Sequence, residues 1–140
     1  MISVLGFFVS LIFIILSILH FHWAFGGKWG FEKALPTNTE GEKVLNPSNF
    51  ESAIVGIGLL FFSIYYLLKI GIISADLPSW IVDYSGWVIS AIFILRAIGD
   101  FKYIGFFKKI KSTDFGKLDT KFYSPLCLML GVIGILLEII

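Results

Sequence analysis

Charge is scarce in this 140-residue chain: 15% of its residues are Asp, Glu, Lys or Arg, and the cations are ten Lys and a single Arg. An ordinary soluble domain carries about 25% charged residues. The formal net charge is +1, with no basic stripe, which excludes a nucleic-acid surface. One cysteine, Cys127, rules out an internal disulfide; lying in an apolar run, it reads as a small packing residue. Catalytic signatures are also missing. No Walker loop, G-x-G-x-x-G or G-x-S-x-G occurs, so nucleotide binding and serine hydrolysis lack local support. Zinc needs more ligands than one Cys and one inward His supply. Haem fits poorly, because His20 and His22 stand about 200° apart around one helix and cannot serve as trans ligands of one iron. No metal and no cofactor are expected.

What the chain does have is apolar residues, 57% of the total with 17% aromatic, and a mean hydropathy of +0.90. That composition predicts an all-α integral membrane four-helix bundle, one membrane domain over residues 1–140 with the lipid bilayer as its partner. A span needs about 20 mostly apolar residues, and four runs meet that length: helices at about 2–25, 52–73, 79–99 and 122–140. Ser48-Asn-Phe-Glu51 has the form of a capping box at the second helix start. For the last helix, Asp119 or Ser124 could be the N-cap, with Pro125 tolerated in the first turn in the second case.

The long connections, 26–51 and 100–121, differ from the short one. They carry nine Lys between them, three plus six, while the opposite end has Lys69 with Asp76, Asp83 and Glu138. Because cytoplasmic loops retain Lys and Arg, both long loops are expected on the cytoplasmic side of the cell membrane and both termini outside. The first loop is long enough to fold over the mouth of the bundle. Gly105-Phe-Phe-Lys-Lys-Ile in the second reads as an interfacial segment with rings and Lys among headgroups.

Within the helices, small and hydroxylic residues recur on single stripes: Ser3, Gly6, Ser10 and Ser17 on the first, Ser52, Gly56 and Ser63 on the second. Such stripes suit close helix packing in lipid, inside one chain or in a homo-oligomer. His20 continues the inward stripe of the first helix. Asp83, Gly86, Ser90, Phe93, Ala97 and Asp100 share a broad face of the third, with Arg96 at its edge. A charge in hydrocarbon is disfavoured by a few kcal/mol or more, so Arg96 should face protein, a ligand or the interface. Its spacing from Asp100, i to i+4, allows the two simply to pair.

The predicted topology brings His20, Arg96, Asp100, Asp119 and Tyr123 to one depth of the bilayer, as candidate ligand-binding residues. An Arg fork suits phosphate or carboxylate. The leading expectation is a polar pocket at the cytoplasmic end that binds or transports a small anionic or amphiphilic solute. The alternatives are a membrane enzyme acting on a lipid or isoprenoid headgroup, and an accessory structural subunit whose polar cluster fixes helix register. No spacing marks a particular reaction, so catalytic residues are not assigned.

The strings His20-Phe-His22-Trp23-Ala-Phe-Gly26-Gly27, Ala34-Leu-Pro36, Arg96-Ala-Ile-Gly99-Asp100-Phe-Lys-Tyr-Ile-Gly105-Phe-Phe and Asp119-Thr-Lys-Phe-Tyr123-Ser-Pro125-Leu-Cys resemble a family of small bacterial membrane proteins, domain of unknown function 3995. The resemblance spans nearly the whole chain and is most specific at Arg-Ala-Ile-Gly-Asp. It implies a four-helix membrane protein and carries no activity, substrate or catalytic residue with it.

Overall fold

The computed structural model describes residues 1–140, and its regular structure is helical, with no strand. The first apolar run forms α1, Ile2–Ala24. α2, Asn49–Lys69, begins at the capping box: Ser48 Oγ accepts the Glu51 N–H at 3.2 Å, and the Glu51 carboxylate accepts the Ser48 N–H at 2.6 Å. It ends at Lys69, not at about residue 73, because Gly71 takes φ +78 and turns the chain. α3 covers Ser79–Ile98.

The last helical stretch starts earlier than the sequence suggests. Thr113 Oγ1 accepts the Gly116 N–H at 2.9 Å and caps a short helix, α4, Asp114–Leu118. A π turn over Asp119–Tyr123 leads into α5, Ser124–Ile139. Neither Asp119 nor Ser124 is therefore an N-cap. Pro125 lacks an N–H and crowds the carbonyl four residues back, and the wider π turn accommodates both effects. The stretches Ile2–Ala24, Asn49–Lys69, Ser79–Ile98 and Asp114–Ile139 are each long and apolar enough to cross a membrane.

Packing is in two pairs, α1 on α2 and α3 on α5, with slighter contact between the pairs. The small-residue stripes are spent inside these pairs. Ser10 Oγ lies 2.7 Å from Ser63 Oγ, and Ser17 Oγ donates to the Gly56 carbonyl at 2.6 Å. In α5, Gly131 backs onto Ile94 and Gly134 onto Ser90. An added Cβ at either glycine would push the pair apart. Interhelical hydrogen bonds of this kind contribute about 0.6 kcal/mol each in lipid, so close contact between backbones is the larger effect. Phe13 joins the pairs, its ring 5.2 Å from Phe93 and 5.8 Å from Phe62. Asp83, placed by periodicity on the packed face of α3, is exposed, whereas Gly86, Ser90, Phe93 and Ala97 are buried.

At the end away from the long loops, Lys69 is paired. Its Nζ donates to Glu138 Oε2 at 2.9 Å, and Tyr65 Oη donates to Glu138 Oε1 at 3.0 Å. This ties α2 to α5 through a nearly buried carboxylate.

Candidate functional site

The opposite end is built around Gly99. Its φ of +87 and ψ of −165 end α3 and swing Asp100 out of helical register. The expected Arg96–Asp100 pair does not form for that reason. Asp100 Oδ1 instead accepts the N–H groups of Lys102, Tyr103 and Ile104 at 2.8–3.0 Å and closes the following loop. Partial burial alone would raise its pKa, but these backbone donors outweigh it and hold the carboxyl below its usual range.

The loop then crosses back over the helix end. Phe106 N–H donates to the Ala97 carbonyl at 2.8 Å, and Gly99 and Gly105 meet backbone to backbone, each leaving no room for a Cβ. The crossing carries Lys108 inward. Read as a headgroup-facing residue, Lys108 is 1% exposed; the exposed members of segment 105–110 are Phe107 and Lys109. Its Nζ donates to the Gly105 carbonyl at 3.0 Å and to Thr120 Oγ1.

Lys108 and Arg96 share Asp119. Arg96 Nη2 donates to Asp119 Oδ1 at 2.9 Å, while Asp119 Oδ2 takes the Gly105 N–H at 2.7 Å and lies 3.2 Å from Lys108 Nζ. Asp119 is fully buried. Two cations on one carboxylate leave the node with a formal charge of +1. Of the five guanidinium N–H donors, one hydrogen bond is made within the protein, and Nη1 is enclosed without a partner.

In front of the node lies a cavity of about 1040 Å³ between the two helix pairs. Its walls are mostly apolar: Leu16 and Leu19 from α1, Val55 and Leu59 from α2, Phe93 from α3, Leu126 and Cys127 from α5. Arg96, His20 and Tyr123 supply its polar groups, with Lys28, Glu32 and Lys33 from the first long loop. That loop forms a roof held at two points. Trp23 Nε1 donates to the Trp29 carbonyl at 2.8 Å, and Tyr123 Oη donates to the Lys33 carbonyl at 3.1 Å. His20 Nδ1 sits 2.7 Å from the Leu16 carbonyl, which can only accept. Nδ1 therefore carries the proton, which leaves Nε2 as the free nitrogen. His22 is exposed.

Three of the five expected site residues, His20, Arg96 and Tyr123, thus line one cavity. Asp119 stands behind Arg96, sealed from the cavity; Asp100 lies outside it, in the loop cap. Residues 13–134 match a family model described as protein of unknown function (DUF3995). The chain belongs to the DUF3995 family. No curated protein and no solved structure matches it.

For this DUF3995 member, the Arg-Ala-Ile-Gly-Asp string encodes the helix stop and loop crossing that carry Lys108 to Asp119. Sequence reasoning missed Lys108 because one member of a Lys-Lys pair gives no sign of turning inward. It missed the wall residues Trp23 and Cys127 because apolar wall and apolar core look alike in sequence. No group of three or more His, Cys, Asp or Glu is placed to hold a metal ion.

Proposed function

We propose that this DUF3995 protein is a multi-pass membrane protein that binds a small anionic or amphiphilic solute in the cavity beside Arg96. The observation that carries the reading is a guanidinium on the lining of an apolar cavity, 31% exposed and making one hydrogen bond within the protein. Asp119 spends one tine of the fork and fixes its plane, so Arg96 can still meet a phosphate or carboxylate. The walls suit a mostly apolar occupant: binding pockets of about 300–1000 Å³ with few polar groups accommodate molecules of that kind. Lipids and metabolites co-purifying with the protein test this directly. An anionic compound should accompany the wild type and fall at least tenfold in Arg96→Lys, because a point charge cannot hold Asp119 and a second anion in fixed directions. Equal recovery from both would sink the anion site.

A second reading is favoured by the burial of Asp119 between two cations: the node serves to fix helix register in an accessory subunit. In that case Arg96→Lys leaves any co-purifying set unchanged.

The bilayer orientation belongs to the same proposal. Both long loops lie at one end of the bundle, where Tyr123 touches Lys33, and nine of the ten Lys lie in them. That asymmetry supports cytoplasmic long loops and external termini in a bacterial membrane. Thr39 and Ser112 are exposed positions in the two loops. Cysteines there, in a Cys127→Ala background, should resist a membrane-impermeant thiol reagent in intact cells and react after lysis. Reaction in intact cells reverses the orientation.

A further inference from the structure

The roof and the splay of the helices say how the cavity is reached. Above Arg96 the first long loop is tied down at both flanks, by Trp23 to the Trp29 carbonyl and by Tyr123 to the Lys33 carbonyl. Those ties hold the roof in place over Arg96, although its Lys28, Trp29, Glu32 and Lys33 stay exposed. The side is different. α2 and α3 touch near their short connection, where Tyr65 Oη donates to the Val82 carbonyl at 3.1 Å, and farther along they stand on either side of the cavity. Leu16, Leu19, Leu126 and Cys127 on the α1 and α5 walls are half-buried, whereas Val55 of α2 is 46% exposed and Ile92 of α3 is 45% exposed. Gly58, also on the α2 wall, would meet nothing within 4 Å if it carried a Cβ.

From this geometry we infer that the occupant is a single-chain amphiphile with a phosphate or carboxylate head, which passes from the bilayer between α2 and α3. The inference rests on the binding reading above and narrows it. The chain lies along Val55, Leu59, Ile92 and Leu126, and the head meets Arg96 under the roof. Apolar walls on four helices match an acyl or prenyl chain, and the net positive node matches one anionic head. A water-soluble anion has no use for most of that surface. In lipid the opening costs nothing in exposed apolar area, since acyl tails already cover Val55 and Ile92.

Cys127, the sole thiol of the chain, lies on the cavity wall and reports occupancy. The experiment follows its alkylation by N-ethylmaleimide, read by intact mass, for the full chain in zwitterionic nanodiscs. Four compounds separate the sources: oleate, oleoyl lysophosphatidate, glycerol 3-phosphate and oleyl alcohol. Oleate or oleoyl lysophosphatidate should slow alkylation about tenfold or more. Protection should shrink to under about twofold in Arg96→Gln, with Arg96→Lys as the variant that keeps a cation facing Asp119. Gly58→Phe, which fills open space and leaves the helix contacts intact, should abolish protection while the thermal midpoint stays near the wild-type value.

If glycerol 3-phosphate protects as well as the chain-bearing compounds and Gly58→Phe changes nothing, the lateral route and the chain are wrong and the anion site stands. If oleyl alcohol protects equally in the wild type and in Arg96→Gln, the anionic head is wrong and the anion site fails with it. Absence of protection by all four compounds overturns the inference and leaves the co-purification result to decide the wider reading.

Discussion

Asp119→Ala is expected to destabilise the protein by about 3–5 kcal/mol, the range for removing one partner of a buried ion pair. The size follows from what is left behind. Lys108 is 1% exposed and would keep only the Gly105 carbonyl and Thr120 Oγ1, neither of which neutralises it. Arg96 would lose its one hydrogen bond, and the Gly105 N–H would become a buried donor without an acceptor. Thermal unfolding in detergent is the measurement, with a fall of roughly 10 °C for a chain of this size. Lys108→Met in the same chain should recover much of the loss, because removing both charges is far cheaper than removing one. A single variant within about 2 °C of wild type, or a double variant no better than the single, would show that Asp119 does not organise this end of the bundle. The same substitution should release the Arg96 fork, so weaker ligand retention at temperatures where the protein is still folded would mark Asp119 as a positioning residue.

The sequence disclosed some levels of this structure and hid others for physical reasons. Four helices long and apolar enough to cross a membrane were legible because a span requires a long apolar run and helical satisfaction of the backbone. The internal stripes were legible because close approach needs small side chains at helical spacing, and Gly56, Ser10, Ser17 and Ser63 stand where periodicity put them. The capping box at Ser48 was legible because its two hydrogen bonds require those residue types three apart. Boundaries were less so: Gly71 ends α2 by a backbone conformation that a glycine permits but does not announce.

The site was half legible. His20 and Arg96 meet one cavity because each is a polar exception on an apolar helix, and both fall at the same depth. The sequence left both Asp100 and Asp119 open as partners of Arg96, since i to i+4 spacing presumes a helix that continues and Gly99 stops it. Lys108 was hidden for a similar reason. Its inward turn depends on where a loop crosses, and pairwise sequence patterns do not carry that information. Lys69 and Glu138 are 69 positions apart, so their pairing across α2 and α5 follows from bundle order and not from any local motif.

Gly99→Ala and Gly105→Ala should both be severe, and a third glycine shows why. Gly99 at φ +87 and Gly105 at φ +90 lie where side chains are strained, at about 1–2 kcal/mol for the left-handed region and more at the ψ of Gly99, which is reached almost only by glycine. Gly41 has φ +85 and shares that first cost, but an added Cβ there would meet nothing within 4 Å. At Gly99 the Cβ would run into the Ile104 carbonyl, and at Gly105 into the Ile98 carbonyl. Backbone cannot rotate aside as a side chain can, so relief requires opening the crossing and losing the Phe106 to Ala97 hydrogen bond. Lys108 would then leave Asp119, which links these glycines energetically to Arg96 and the cavity. Gly41→Ala should lower the unfolding midpoint by a few degrees at most, whereas Gly99→Ala and Gly105→Ala should lower it by roughly 10 °C or prevent recovery of folded protein. Amide exchange at Phe106 separates the cases further: protection kept in Gly41→Ala, lost in the other two. Equal midpoints for all three variants would mean that left-handed strain is the whole effect and that the loop does not cross the end of α3 as tightly as described.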